Sequence, residues 1–155
     1  MTLPKEALPV SGQTFNYRRL RYSIVIILVI LTIQGWTGDF TNLFATFSSG
    51  SSGSFPSNVF RALASGGAIP LYHGLEGLLL GILSIIVLAL SIGSRKRSII
   101  LCAVIALVSI FSAMAGGTLF VLSDFQNNAF SAQMGGSFIG AYAFYFMELY
   151  FSKGL

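Results

Sequence analysis

The chain has 155 residues, 54% of them hydrophobic and only 9% charged, with a net charge of +4. A water-soluble domain carries about 25% charged residues, so this composition excludes one and leaves a single membrane domain as the expectation. The positive balance is not a nucleic-acid footprint, because the basic residues cluster beside apolar runs instead of covering a face, and the lone Cys102 excludes an intrachain disulfide or a cysteine-rich metal centre.

Residues 1–19 are polar, with Pro4 and Pro9, and end in Arg18 and Arg19. They read as a cytoplasmic tail. The first apolar run, 20–37, is short for a hydrocarbon core of about 30 Å, so the helix is free to continue through Asp39 toward Phe47. Gln34, Gly35 and Trp36 offer no small-residue cleavage pattern, which makes this an uncleaved span rather than a signal peptide.

Residues 38–68 form the one long loop, expected outside the cell. Its centre, SSGSSGS at 48–54, is a flexible tether by composition, flanked by Phe40, Phe44, Phe47, Phe55 and Phe60. After Pro56, Ser57 can cap a short helix that stops at Gly66 and Gly67, with Phe60 and Leu63 on one side. That is an interfacial helix; a disordered loop accounts for the same composition.

Three further runs follow at 69–92, 98–122 and 129–151, joined by the basic turn Ser94, Arg95, Lys96 and Arg97 and by a short polar link from Ser123. Short links make neighbouring helices antiparallel. With four crossings, Lys5, Arg18, Arg19, Arg21, Arg95, Lys96, Arg97 and Lys153 fall on one side and only Arg61 on the other. The positive-inside rule then places both termini in the cytoplasm of a cell membrane. The expected fold is an all-α, antiparallel four-transmembrane-helix bundle. Its packing stripes are Gly77, Gly81 and Ser84, then Ser109, Ser112 and Gly116, then Ala132, Gly136 and Gly140, because small residues let helices approach in lipid.

The second run opens with the only histidine, His73, and with Glu76 three residues on, hence on one helix face. Ionisable groups at membrane depth are functional candidates by default. Threaded as above, Gln34, Thr118, Gln133 and Met134 lie at the same outer level, while the inner halves read as aliphatic and aromatic. His73 and Glu76 are therefore expected to face protein and to bond each other or Gln34, Thr118 and Gln133, fixing helix register. Two ligand readings compete with that one. A b-type haem needs a second axial ligand, for which Met134, or Met114 farther in, is the candidate; a quinone needs only a donor, a carboxylate and an apolar groove. One histidine with one glutamate falls short of a zinc site, and no nucleophile set or phosphate loop is present. Glu148, at the far end of the last run, reads as solvated or paired with Lys153 or Arg21.

His73, Gly74 and Gly77 open the second run in a short, glycine-driven pattern that carries no family resemblance and assigns no residue role. The reading that results is a small non-catalytic accessory subunit of a larger, respiratory membrane complex. It is set in lipid beside other membrane subunits, with a homo-oligomer allowed and no nucleic acid. The alternatives are a redox protein holding quinone or haem through His73, and a small transporter acting as an oligomer.

Overall fold

A computed structural model describes residues 15–47 and 54–153, and every regular element among them is helical. Five helices follow one another: α1 (Tyr17–Phe44), α2 (Ser57–Ser65), α3 (Ala68–Gly93), α4 (Arg97–Leu122) and α5 (Asn128–Ser152). The tail up to residue 14 and the tether at 48–53 lie outside the described residues.

α1, α3 and α4 are 28, 26 and 26 residues long and apolar enough to cross a membrane. A rise of 1.5 Å per residue gives each at least about 39 Å, more than a hydrocarbon core needs. α5 has 25 residues, but its Ser, Gly, Gln and Tyr content keeps it below the apolarity of the other three. Among the described residues three helices, not four, therefore qualify as spans by length and composition.

α1 is longer than the first apolar run because nothing interrupts it. Asn16 caps its start, accepting from Arg19 N, as a short polar side chain does at an N-terminus. At its other end the hydroxyls of Thr37 and Thr41 bond back to Gln34 O (3.1 Å) and Thr37 O (2.7 Å), so these threonines stay inside the helix instead of ending it. The expected 38–68 loop is accordingly filled from both sides, by the end of α1 and by all of α2.

α2 forms where a short helix was expected, but Ser57 is not its cap. Pro56 holds the cap position with no side-chain bond, and the Ser57 hydroxyl donates away from the helix to Ser54 O at 2.7 Å. The helix lies against α3 and α4; Ala62 is buried, and Leu63 is seated so closely on Gly74 that a Cβ there would be 2.6 Å from its Cδ1. Gly67, at φ 104°, then turns the chain through a conformation that glycine alone adopts freely. Pro70 falls in the first turn of α3, where its missing N–H costs no helical bond.

The core is a set of seams with three- and four-residue steps: Leu20, Ile24, Ile27 and Leu31 on α1, Leu80, Ser84, Val87 and Ser91 on α3, Ala141, Tyr145, Glu148 and Ser152 on α5. Such spacing keeps one face turned to the neighbouring helices. α4 and α5 share the closest approach: a Cβ on Gly116 would lie 3.0 Å from both Met134 N and Phe130 O. Two ends result. At one, Tyr17 Oη donates to Ser94 O at 3.4 Å, joining the start of α1 to the end of α3. At the other, Phe47 stacks on Phe125 with centroids 3.8 Å apart, and Phe120 meets Phe125 edge-on.

Candidate functional site

Near the phenylalanine-rich end, α1 and α3 are joined by polar side chains. Gln34 and Thr37, three residues apart, face His73 and Glu76, also three apart. Glycines on each side permit the approach: a Cβ on Gly38 would stand 2.9 Å from His73 Cε1, and one on Gly77 would stand 3.5 Å from Gln34 Nε2. Thr37 Oγ1 lies 3.0 Å from His73 Nδ1 and donates to Glu76 Oε2 at 3.3 Å. Gln34 Nε2 donates to His73 O at 3.2 Å and lies 3.4 Å from His73 Nε2.

For a neutral imidazole these contacts select the tautomer. The bond to His73 O fixes which end of the Gln34 amide faces the ring, and that end is a donor. His73 Nε2 is then the acceptor, and the proton sits on Nδ1 and points to Thr37 Oγ1. The Thr37 hydroxyl then has one proton for two acceptors, Gln34 O at 3.1 Å and Glu76 Oε2 at 3.3 Å. The set runs from the Gln34 amide to the His73 ring and the Thr37 hydroxyl, where the Glu76 carboxyl, 4% exposed within the chain, is one of two acceptors. Both ring nitrogens are thus occupied by neighbours on α1. To take iron or a quinone oxygen, His73 must release one of them. The cleft next to the cluster, lined by Phe40, Thr41, Phe44, Gly66, Ile69 and Pro70 among others, holds about 150 Å³, well below the 300–1,000 Å³ of ordinary ligand pockets.

A second polar group lies toward the other end, where the interior was expected to be almost purely aliphatic and aromatic. Glu148 is neither solvated nor at the surface: it is fully buried, and its Oε1 accepts from Ser91 Oγ of α3 at 2.5 Å. Its position seven residues after Ala141 puts it on the buried seam of α5 and carries it inward. Glu148 Oε2 and the Tyr145 hydroxyl, three residues earlier on that seam, are buried with no hydrogen-bond partner among the described residues. Ser84 and Ser152 are buried with them. Leu80 separates this group from Glu76 along α3.

The remaining candidates go elsewhere. Gln133, on an exposed stretch of α5, reaches Ser112 of α4 at 3.4 Å. Met134 closes on α4, its backbone on Gly116 and its sulfur over Gly117. Thr118 stands half-buried on α4. Gly81 receives the Met114 sulfur, and Gly140 receives the Ser109 hydroxyl. Gly136 is exposed, with nothing within 4 Å of where a Cβ would be. Thr37, the bridge between His73 and Glu76, was missed in the sequence; its signal was the three-residue spacing from Gln34. Tyr145 and Glu148 were missed as a pair, although Ala141, Tyr145 and Glu148 already show a four-then-three spacing.

Comparison with family models, curated proteins and solved structures gives no match.

Proposed function

We propose that the chain is a small non-catalytic subunit of a larger membrane complex, docking on a partner's transmembrane helix through the outer face of α5. The observation that carries the reading is the contrast between outward faces. α3 and α4 turn Leu78, Ile82, Ile85, Leu101, Val108 and Phe111 outward. The first half of α5 instead turns outward Ala132, Gly135 and Gly136, and large side chains such as Ile139, Tyr142 and Phe146 come outward only beyond them. Small residues admit another helix at close range, and lipid alone has no use for the notch. The inward polar groups fit the same reading, since Gln34, Thr37, His73 and Glu76 spend their hydrogen bonds on joining α1 to α3.

In this reading α5 is a fourth crossing, antiparallel to α4, and the end bearing Arg18, Arg19, Arg95, Lys96, Arg97 and Lys153 faces the cytoplasm. The histidine-held haem or quinone and the oligomeric transporter have no observation of their own in their favour. Isolation from native membranes in mild detergent tests the proposal. A partner polypeptide at fixed stoichiometry is the expected result; a chain that elutes alone and homogeneous overturns it, and one that elutes only as multiples of itself replaces it with a homo-oligomer.

A further inference from the structure

The end of the bundle where α1 begins, α3 turns into α4 and α5 stops is ringed with exposed cations. The hydrogen bond from Tyr17 to Ser94 and the one from Ser91 to Glu148 bring these termini together, so their charges share one surface. Arg18, Arg19, Arg95, Lys96, Arg97 and Lys153 are all exposed. Among the described residues the one acid near them, Glu148, is buried, while the exposed Asp39 and Asp124 belong to the opposite end. Six like charges on one rim repel one another and call for anions.

Depth identifies the anion. Leu20 follows Arg19 directly, Ile92 precedes Arg95 by three residues, Ile99 follows Arg97 by two and Phe151 precedes Lys153 by two. Charges this close to the apolar helix bodies stand at headgroup level rather than on a projecting domain. The surface is also ordered. Lys96 N donates to Ser94 Oγ at 3.2 Å within the turn, and Arg18 lies over the Tyr22 ring, 5.4 Å from its centroid, and bonds its hydroxyl. Arg95 holds its charge at φ 56°, a conformation that glycine adopts more readily.

We propose that this end is a binding surface for the phosphodiester headgroups of anionic phospholipids, centred on the Arg95–Lys96–Arg97 turn. Basic residues at the cytoplasmic ends of helices attract such headgroups and lose that attraction as salt screens them.

The test is thermal unfolding of the full chain in non-ionic detergent, with mixed micelles of phosphatidylglycerol or phosphatidylcholine. Each variant is compared with its own lipid-free value. Phosphatidylglycerol is expected to raise the unfolding temperature, phosphatidylcholine is not, and the gain is expected to shrink in high salt. The R95Q/K96Q/R97Q variant should lose most of the gain, its preference for the anionic lipid falling on the order of 100-fold, while R61Q, at the opposite end, keeps it. Equal shifts with the two lipids overturn the proposal even if the triple variant does not fold. So does an equal shift with soluble glycerol phosphate, which assigns the site to free phosphate. Displacement of phosphatidylglycerol by polyglutamate assigns the surface to an acidic protein segment and also overturns it.

Discussion

Thr37 has one hydroxyl proton and three oxygen or nitrogen neighbours, and that shortage makes it the most informative single residue. Its Oγ1 stands 3.1 Å from Gln34 O, 3.3 Å from Glu76 Oε2 and 3.0 Å from His73 Nδ1. The carbonyl already serves its own helix, so losing the hydroxyl leaves the histidine donor and the carboxyl as the uncompensated groups. Thr37→Val keeps the shape and removes the polarity. It should lower stability in a fixed detergent by about 1–3 kcal/mol, the cost of stranding buried polar groups, whereas Thr37→Ser should retain most of it. Denaturation of both variants under one set of conditions checks this, and equal losses would mean that the γ-methyl contact, not the hydroxyl, matters. Ser91→Ala makes the parallel prediction for the other cluster. Glu148 Oε1 accepts the Ser91 hydroxyl inside the bundle, so the alanine should cost about 1–3 kcal/mol, and the double variant Ser91→Ala with Glu148→Leu should recover part of it, because two matched apolar groups leave neither side of that pair unsatisfied.

Between elements, the contact of α4 with α5 sets the tightest tolerance. A Cβ on Gly116 would meet backbone atoms, Met134 N and Phe130 O, at 3.0 Å. Backbone cannot swing aside as a side chain does, so Gly116→Ala should force the helices apart and cost about 1–3 kcal/mol. At Gly81 the obstacle is the flexible Met114 sulfur at 3.2 Å, and Gly81→Ala should cost less. Ranking the two by unfolding in the same detergent is the check. The sequence could locate Gly116 as a packing residue from its place in a small-residue stripe, but it could not show that the α5 stripe divides between two faces. Ala132, Gly136 and Gly140 are four apart, and four residues of a 3.6-residue helix overshoot a full turn by about 40°. Two such steps carry the last glycine from the outer face to the Ser109 hydroxyl. The end of α2, the start of α3 and the turn into α4 were legible because Gly66, Gly67 and the basic turn punctuate the chain, whereas α1 runs past its apolar stretch to Phe44. What stayed hidden was any pairing between helices. Spacing along one helix shows that His73 and Glu76 share a face, but not that Thr37 is the residue opposite, and it gives no sign that Ser91 receives Glu148.

At the scale of the whole molecule, most large apolar side chains on α1, α3 and α4 face outward, from Ile26 and Val29 to Ile82, Ile86 and Val108. A bundle this thin cannot bury them, and in lipid it has no need to. Against that background the notch on α5 makes the last prediction, and makes it selectively. Nothing lies within 4 Å of a Cβ built on Gly136, and Ala132 is exposed one turn away, so Ala132→Leu and Gly136→Leu should leave the isolated chain within about 0.5 kcal/mol of its original stability, as surface changes do. Gly140→Leu, driven against Ser109 Oγ at 3.2 Å, should destabilise the fold itself. If α5 docks on a partner, the first two variants lose that partner in mild-detergent isolation while folding normally. The third loses fold and partner together. Retention of the partner by the folded Gly136→Leu chain would place the interface on another helix, and a loss of stability in that variant would show that the face is already filled by the chain itself.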